Sequence, residues 1–272
     1  MQLVFVVGMP RSGTTLLQSL LGGHQTVFTI PETHFFNEIP SDRILLKNLG
    51  IVSRRSYNYY QELLTKLDVN NKSRWSPQLP IFVRQYVDKF IGLLKNRAPE
   101  GTSHIVEKTP RHLYRIQAIK HYLDDPQFLH VIRSGEDVIA SYYHATNTYP
   151  EDWGGSETLE NAISRWKNDT SITARWVSEK NHQVVDYDAL VENPDSVLRN
   201  IFQYLSLTYT ESILEDFNET YRELAQDEPW KQNDRSSIRA SSSKFDEVLN
   251  SEQQKKVLEE TEEWLKQIEL RK

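Results

Sequence analysis

The sequence predicts an α/β fold in which a parallel sheet of about five strands carries helices on both faces. Short apolar runs alternate with stretches whose apolar residues recur at helical spacing, which is the pattern of βα units. Charged and hydroxyl side chains come directly after several of these runs, where the carboxyl ends of parallel strands meet. A mostly helical insertion interrupts the alternation at about 41–100, and we predict it to be a lid or substrate-side element.

The first strand ends in a glycine-spaced turn of the phosphate-loop type. Gly8 and Gly13 have the spacing of the G-x-x-x-x-G-K-[ST] pattern, and Thr15 takes its final hydroxyl position. Thr14 replaces the lysine of that pattern, and Arg11 is the only positive side chain of the turn. Nucleoside triphosphatases use that lysine, together with magnesium, on the β- and γ-phosphates. The turn therefore predicts a P-loop-type sheet whose oxyanion site suits a ligand other than magnesium ATP. The alternative is an ordinary βα turn.

The other elements follow from apolar patterning along the chain. Short apolar runs predict four more strands, at 27–30, 104–106, 128–132 and 183–186. Helical spacing predicts helices at 14–21, 57–67, 81–94, 113–122, 137–144, 157–180, 194–205, 211–224 and from 251 onward. The polar, serine-rich stretch at about 226–245 contains interleaved basic residues, which is compatible with a loop that covers a cofactor or with a solvated surface loop.

Composition restricts the class of protein. The chain has 272 residues, of which 38% are hydrophobic, so we expect one domain over 1–272 with a substantial core. A net charge of −6 gives no support to a nucleic-acid partner. The absence of cysteine excludes disulfides and thiolate chemistry, and no run approaches the length of a membrane span. A cytoplasmic enzyme is the simplest interpretation, although a chain shortened from an anchored or larger protein would have the same composition.

Candidate functional side chains follow the second, third and fourth strands. Glu32 and His34 come after the second strand and are acid–base candidates, Lys108 ends the third, and Arg133 follows the fourth. In a parallel sheet these positions share one edge. With the glycine-spaced turn, this edge would have two positively charged regions, one in that turn and one between Arg133 and Ser141. A ligand with two separate anionic groups fits this pattern.

Three stretches, in order, resemble sulfotransferases that use 3′-phosphoadenosine 5′-phosphosulfate (PAPS). The stretches are Pro10–Leu16, Val131–Tyr142 and Val185–Pro194. The similarity is closest to the branch that contains tyrosylprotein sulfotransferases and many bacterial enzymes. It implies that the donor's phosphosulfate and 3′-phosphate are held by a set of donor-binding residues, namely Arg11, Ser12, Gly13, Thr14, Thr15, Leu16, Arg133 and Ser141. The resemblance also implies that Tyr187 lies near the nucleotide and that Lys244 closes over it.

The same resemblance implies catalytic roles. The family's glutamate base corresponds to Glu32, and the family's lysine before a proline corresponds to Lys108, which would act with Arg11 on the transferring group. His34 is the second candidate for the base, since cytosolic steroid and phenol sulfotransferases use a histidine, but in a different sequence context. Two structural alternatives stay open: Glu32 as a carboxylate at a helix N-terminus, and Lys108 as the salt-bridge partner of Glu107.

The implied reaction moves a sulfuryl group from PAPS to a hydroxyl, or secondarily an amine, and releases 3′-phosphoadenosine 5′-phosphate (PAP) without a metal. Aromatic residues in the insertion suit a partly apolar acceptor such as a small molecule, a lipid, a polyketide chain or a peptide side chain. The sequence leaves the acceptor and the oligomeric state open. Alternative functions are a P-loop kinase of a small metabolite and a nucleotide-binding module without catalysis.

Overall fold

Five parallel strands form the centre of the fold. A computed structural model describes residues 1–39, 49–67, 82–214, 220–221 and 244–269. The strands are β1 (Gln2–Gly8), β2 (Val27–Ile30), β3 (His104–Lys108), β4 (Gln127–Ile132) and β5 (His182–Asp186). They are ordered β2-β3-β1-β4-β5, and every neighbouring pair is parallel. The predicted fold class is confirmed, and each predicted strand overlaps an observed one.

Helices connect the strands. In chain order they are α1 (Thr14–Gly22), α2 (Phe35–Glu38), α3 (Arg54–Lys66), α4 (Val83–Arg97), a 3₁₀ helix (Pro110–Arg115), α5 (Ile116–Tyr122), α6 (Gly135–Thr148), α7 (Pro150–Trp153), α8 (Leu159–Trp176), α9 (Tyr187–Glu192), α10 (Pro194–Tyr204), α11 (Lys244–Val248) and α12 (Ser251–Glu269). In the described ranges, no helix is both long enough and apolar enough to cross a membrane.

Apolar side chains bury both faces of the sheet. In β1, Val4 and Val6 pack with the apolar residues of α1, α9 and α10. Phe5 and Val7 point to the other face and pack with α3, α4 and the 3₁₀ helix. This alternation is expected of a strand covered on both sides, and it confirms the prediction of helices on both faces.

Strand register brings the functional residues to one edge. In β1, Val6 lies opposite Lys108 of β3, and Gly8 lies opposite Val131 of β4. Ile30 of β2 lies opposite Glu107. The carboxyl ends of β1, β2, β3 and β4 are therefore neighbours, which is where ligands bind in open α/β sheets.

In the part of the predicted insertion that the structure describes, most residues belong to the two helices α3 and α4. Ser53 caps α3 because its hydroxyl accepts a hydrogen bond from the Ser56 N–H, at 3.1 Å. In α4, Phe90 stacks on Phe35 of α2, with ring centroids 4.1 Å apart. The insertion is thereby packed onto the short helix that follows Glu32.

Three sequence predictions need correction or lie outside the described residues. The helix predicted from residue 113 starts as a 3₁₀ helix at Pro110, since proline suits a first helical position. Most of the predicted 211–224 helix, and residues 226–243 of the predicted covering loop, lie outside the described residues. Lys244 and Phe245, predicted to be loop, instead begin α11, because Phe245 and Val248 pack against the apolar cluster around α6 and α8.

Candidate active site

The turn after β1 is held in a conformation that depends on glycine. Gly8 has φ 151° and lies so close to β4 that a Cβ there would be 2.5 Å from the Val131 carbonyl oxygen. Ser12 donates from both its N–H and its hydroxyl to the Met9 carbonyl, at 3.2 and 2.7 Å. Arg11, between them, adopts a left-handed conformation with φ 77°, which is uncommon for a residue with a Cβ. Such residues cluster at ligand-binding sites.

Helix α1 begins directly at this turn. The Leu17 N–H donates to the Gly13 carbonyl at 3.2 Å, so the N–H groups of the first turn precede the intrahelical ladder. That end of a helix attracts anions. The hydroxyl-bearing residues Thr14 and Thr15 are also buried here. Leu16 sends its side chain into the core, so only its backbone N–H is available at the turn.

Arg11 connects the turn to α6. Its Nε donates to Ser141 Oγ at 3.1 Å. His144, one helical turn after Ser141, has its pKa lowered by burial and, to a smaller extent, by the positive charges of Lys244 and Arg11. The structure therefore brings Arg11 and Lys244 to the middle of α6, around Ser141 and His144. The Lys244 ammonium also pairs with Glu247.

Tyr187 contacts both the turn and Arg133. The ring of Tyr187 covers Gly13 so closely that a Cβ at Gly13 would overlap it. The guanidinium of Arg133 lies 4.5 Å from the centroid of the same ring. Arg133 also donates to Asp137 Oδ2 at 2.8 Å and lies 3.9 Å from Asp188 Oδ1. Tyr187 is thus a buried wall of the turn, and two acidic residues orient Arg133.

A second cluster forms where β2 and β3 end. The buried ammonium of Lys108, only 3% exposed, donates to Glu32 Oε1. Glu32 Oε2 lies 3.3 Å from His34 Nε2. Burial lowers the pKa of His34, and the negative charge of Glu32 offsets part of this effect. Lys66 of α3 donates to the Glu32 carbonyl oxygen at 3.2 Å.

Both structural alternatives for this cluster are wrong. Lys108 pairs with Glu32 and not with Glu107, because neighbouring strand residues point to opposite faces. Glu107 instead binds His112, whose Nδ1 is 2.8 Å from its Oε2. Glu32 is not in the first turn of a helix, since α2 starts at Phe35. Sequence reasoning considered Glu107 only as a partner of Lys108 and missed that its buried carboxylate accepts hydrogen bonds from the turn that follows Glu32.

The fold is a five-stranded parallel sheet with a lysine-free, glycine-spaced turn of the phosphate-loop type after its first strand, which places the chain among α/β proteins of the P-loop type. The chain belongs to the sulfotransferase family, whose model matches residues 3–211. This confirms the family that the three sequence stretches predicted, and it favours a sulfotransferase over the P-loop kinase alternative.

Named relatives agree with this family. Over 215 residues the chain is 26% identical to protein-tyrosine sulfotransferase A of Caenorhabditis elegans, with 78% of this chain and 51% of that protein covered. The chain spans between 26% and 56% of the length of the curated relatives it matches.

Solved structures share the fold. The sulfotransferase domain of the Synechococcus PCC 7002 olefin synthase is similar with a TM-score of 0.64 at 22% identity, covering 95% of this chain and 94% of that one. Mouse sulfotransferase SULT7A1, solved in complex with PAP, is similar with a TM-score of 0.56 at 12% identity, covering 97% and 84%.

Proposed function

We propose that this protein transfers the sulfuryl group of PAPS to an acceptor hydroxyl. The observation that carries the proposal is the Glu32–Lys108 pair, which lies at the same sheet edge as the phosphate loop whose lysine is replaced. A carboxylate that can take a proton and a buried ammonium that can neutralise oxyanion charge are the two groups that this transfer needs. Family membership and the PAP bound by the mouse relative also support it.

PAPS, the sulfuryl donor, would bind between the turn after β1 and the residues that follow β4. Arg11, the Thr14 and Thr15 hydroxyls and the N–H groups from Gly13 to Leu16 form a donor set suited to the 5′-phosphosulfate. Ser12 shapes the turn, because its N–H and its hydroxyl both donate to the Met9 carbonyl. The group fits, since these donors surround a turn that leaves no room for side chains at Gly8 and Gly13. Arg133 and Ser141 would bind the 3′-phosphate, with Tyr187 beside the nucleotide and Lys244 over it.

In the reaction, Glu32 takes the acceptor's hydroxyl proton as the acceptor oxygen bonds to sulfur. The bond from sulfur to the bridging oxygen breaks, and its electron pair stays on the phosphate of PAP. Lys108 and Arg11 neutralise charge on the sulfuryl and bridging oxygens. A general base commonly contributes 10²–10⁴-fold. His34 is the alternative base, because its ring nitrogen lies 3.3 Å from the Glu32 carboxylate.

The acceptor site would lie between this pair and the insertion. Tyr59 of α3 donates to the Thr33 carbonyl, and Lys66 donates to the Glu32 carbonyl, so α3 borders the turn that carries the base. The relatives include a protein-tyrosine sulfotransferase and a domain of an olefin synthase. Peptide and polyketide acceptors therefore come first in a screen, followed by lipids and other small molecules.

The test combines nucleotide binding with turnover. PAP should raise the melting temperature far more than ATP with magnesium does, and greater stabilisation by magnesium ATP would contradict the proposal. Glu32→Gln should bind PAP like wild type and lose turnover of a labelled sulfuryl donor by about 100-fold or more. Glu38→Gln is the matched control, because Glu38 lies on α2 and pairs with Arg55 at 3.2 Å. Unchanged turnover in Glu32→Gln would transfer the base role to His34.

A further inference from the structure

Glu107 is a buried carboxylate that the proposed reaction does not use. It precedes Lys108 on β3 and has 2% of its surface exposed. Its Oε1 accepts from the Thr33 N–H at 3.3 Å, the Thr33 hydroxyl at 2.7 Å and the Thr109 hydroxyl at 2.6 Å. Its Oε2 lies 2.8 Å from His112 Nδ1. A buried carboxylate with this many donors holds its neighbours in a fixed arrangement.

The four consecutive backbone N–H groups of residues 33–36 all donate hydrogen bonds to side chains of this network. They directly follow Glu32 and lead into α2, whose first N–H groups need acceptors from outside the helix. The acceptors are Glu107 for Thr33, the Thr109 hydroxyl for His34 at 3.2 Å, the Thr33 hydroxyl for Phe35 at 3.3 Å, and His112 Nε2 for Phe36 at 3.2 Å.

Ionised Glu107 sets the direction of every bond in the network. His112 Nε2 accepts from the Phe36 N–H, so in the neutral ring the proton is on Nδ1, which donates to Glu107. The Thr33 and Thr109 hydroxyls each give their single proton to Glu107 and accept from a backbone N–H. Burial would raise the pKa of Glu107, but the adjacent His112 and the hydrogen bonds from His112, Thr109 and Thr33 outweigh it and lower the pKa to about 2.

The network fixes a turn that would not hold this shape alone. His34 has φ 49°, a left-handed conformation that is uncommon for a residue with a Cβ. It separates Glu32 from α2, and its N–H is held by Thr109. Because strand residues alternate, β3 presents Lys108 to Glu32 and Glu107 to the backbone beneath Glu32. One strand thus supplies both the ionic partner of Glu32 and the anchor of its turn.

We propose that Glu107 is the positioning residue for the base, holding the backbone of residues 33–36 so that the Glu32 carboxylate meets Lys108 and the acceptor. This inference rests on the proposed sulfuryl transfer. Its chemical consequence is specific: loss of a donor or acceptor in the network displaces Glu32 while the nucleotide site, anchored on β1 and β4, is left intact.

Two variants test the network from opposite ends. Glu107→Gln replaces one acceptor oxygen by an NH₂ group, and Thr33→Val removes one hydroxyl while keeping the branched shape. We expect each to lower kcat by about 10- to 100-fold, with the Kd for PAP and the KM for the acceptor within about twofold of wild type. Thr33→Ser retains the hydroxyl and should restore kcat. Thr33→Val also covers the case in which Glu107→Gln fails to fold.

The matched control is Thr261→Val, because Thr261 is 1% exposed and its hydroxyl donates to the Val257 carbonyl on α12, away from this cluster. It should lose stability like Thr33→Val and keep wild-type kcat. Equal loss of kcat in Thr261→Val and Thr33→Val would overturn the positioning role, as would full kcat in both network variants.

A readout independent of activity separates this inference from the proposed function. Hydrogen exchange at the amides of residues 33–36 should be slow in wild type and in Thr33→Ser, and faster in Thr33→Val. Crystals of Thr33→Val should show Glu32 displaced from Lys108. If wild type transfers no sulfuryl group from PAPS, the proposed function fails alone. If Thr33→Val keeps slow exchange and the Glu32–Lys108 pair, the positioning role fails alone.

Discussion

Arg11 Nε donates to Ser141 Oγ at 3.1 Å, across 130 residues of sequence. Arg11 belongs to the turn after β1, and Ser141 belongs to the helix after β4, so the bond joins the two neighbouring strand ends at which the sequence predicts separate anion sites. A ligand with an anionic group at each end, such as PAPS, could therefore bind across both strand ends, which this hydrogen bond already joins. We infer that this hydrogen bond links the two proposed phosphate subsites.

Removing the serine hydroxyl should weaken nucleotide binding more than stability. In Ser141→Ala, Arg11 loses its fixed partner, and the proposed 3′-phosphate site loses a donor. Since a hydrogen bond to a charged group contributes about 1.5–3 kcal/mol, we expect the Kd for PAP to rise by about tenfold or more in calorimetric titrations. Ser164→Ala is the control, because Ser164 is an exposed serine on α8. Equal effects of the two changes would argue against a nucleotide role for Ser141.

Arg133 should discriminate the 3′-phosphate. Its guanidinium lies over Tyr187 and is oriented by Asp137, so Arg133→Ala removes a preorganised charge. We expect PAP to bind about 100-fold more weakly, while the analogue without the 3′-phosphate changes by less than about threefold.

Arg199→Ala is a close match as a control for Arg133→Ala. Arg199 also lies over a tyrosine ring, 4.8 Å from the centroid of Tyr209, and also pairs with an aspartate, Asp195. Because Arg199 lies on α10, away from the carboxyl edge of the sheet, both ligands should bind this variant like wild type. If Arg133→Ala weakens both ligands equally, the assignment of the 3′-phosphate to Arg133 is wrong.

The sequence predicts the location of the site better than its contacts. Parallel strands share a carboxyl edge, so Glu32, Lys108 and Arg133 could be placed there from the ends of apolar runs alone. Strand alternation could also have assigned Lys108 away from Glu107. The Glu107 network could not be predicted, because Thr33 and Glu107 are 74 residues apart and their contact depends on register and on the left-handed His34. Likewise, nothing in a polar stretch predicts that Phe245 packs against the apolar cluster and belongs to α11.

Two buried histidines should make the fold sensitive to acid. His130 Nε2 and His182 Nδ1 are 2.9 Å apart, and His182 stacks on Phe128. Burial lowers the pKa of His130 to about 3, with a further contribution from His182, and burial lowers the pKa of His182 to about 4. The unfolded chain, with histidine pKa values near 6.5, therefore binds more protons between these values. The contribution of these two neutral histidines to the free energy of unfolding is therefore fully present above about pH 6.5 and is lost as pH falls toward 3.

Melting temperatures measured from pH 7.5 to 4 test this expectation. Wild type should melt several degrees lower at pH 4.5 than at pH 7. His182→Phe keeps an aromatic ring in the stack and removes one titrating group, so its melting temperature should depend less steeply on pH. His121→Gln, an exposed control on α5, should follow wild type. A slope in His182→Phe as steep as that of wild type would contradict the role of the pair.

Lys108 should matter for turnover far more than its neighbour Lys66, although both ammonium groups contact Glu32. Lys108 is buried and donates to the carboxylate, whereas Lys66 is exposed and donates to the main-chain carbonyl. Lys108→Met replaces the lysine by an unbranched apolar side chain and removes the charge that would neutralise the sulfuryl and bridging oxygens. We expect kcat to fall by about 10²–10³-fold with little change in the Kd for PAP, and Lys66→Met to stay within about threefold.

Stability separates the catalytic role of Lys108 from a structural one. Removing the buried ammonium leaves Glu32, which is 22% exposed and can be hydrated, without its closest cation. The melting temperature of Lys108→Met should therefore be lower than that of wild type. The double variant Lys108→Met with Glu32→Gln should regain the wild-type melting temperature but not the wild-type kcat. If the double variant regains turnover, the pair supports the fold and the charge on the transferring group is neutralised elsewhere.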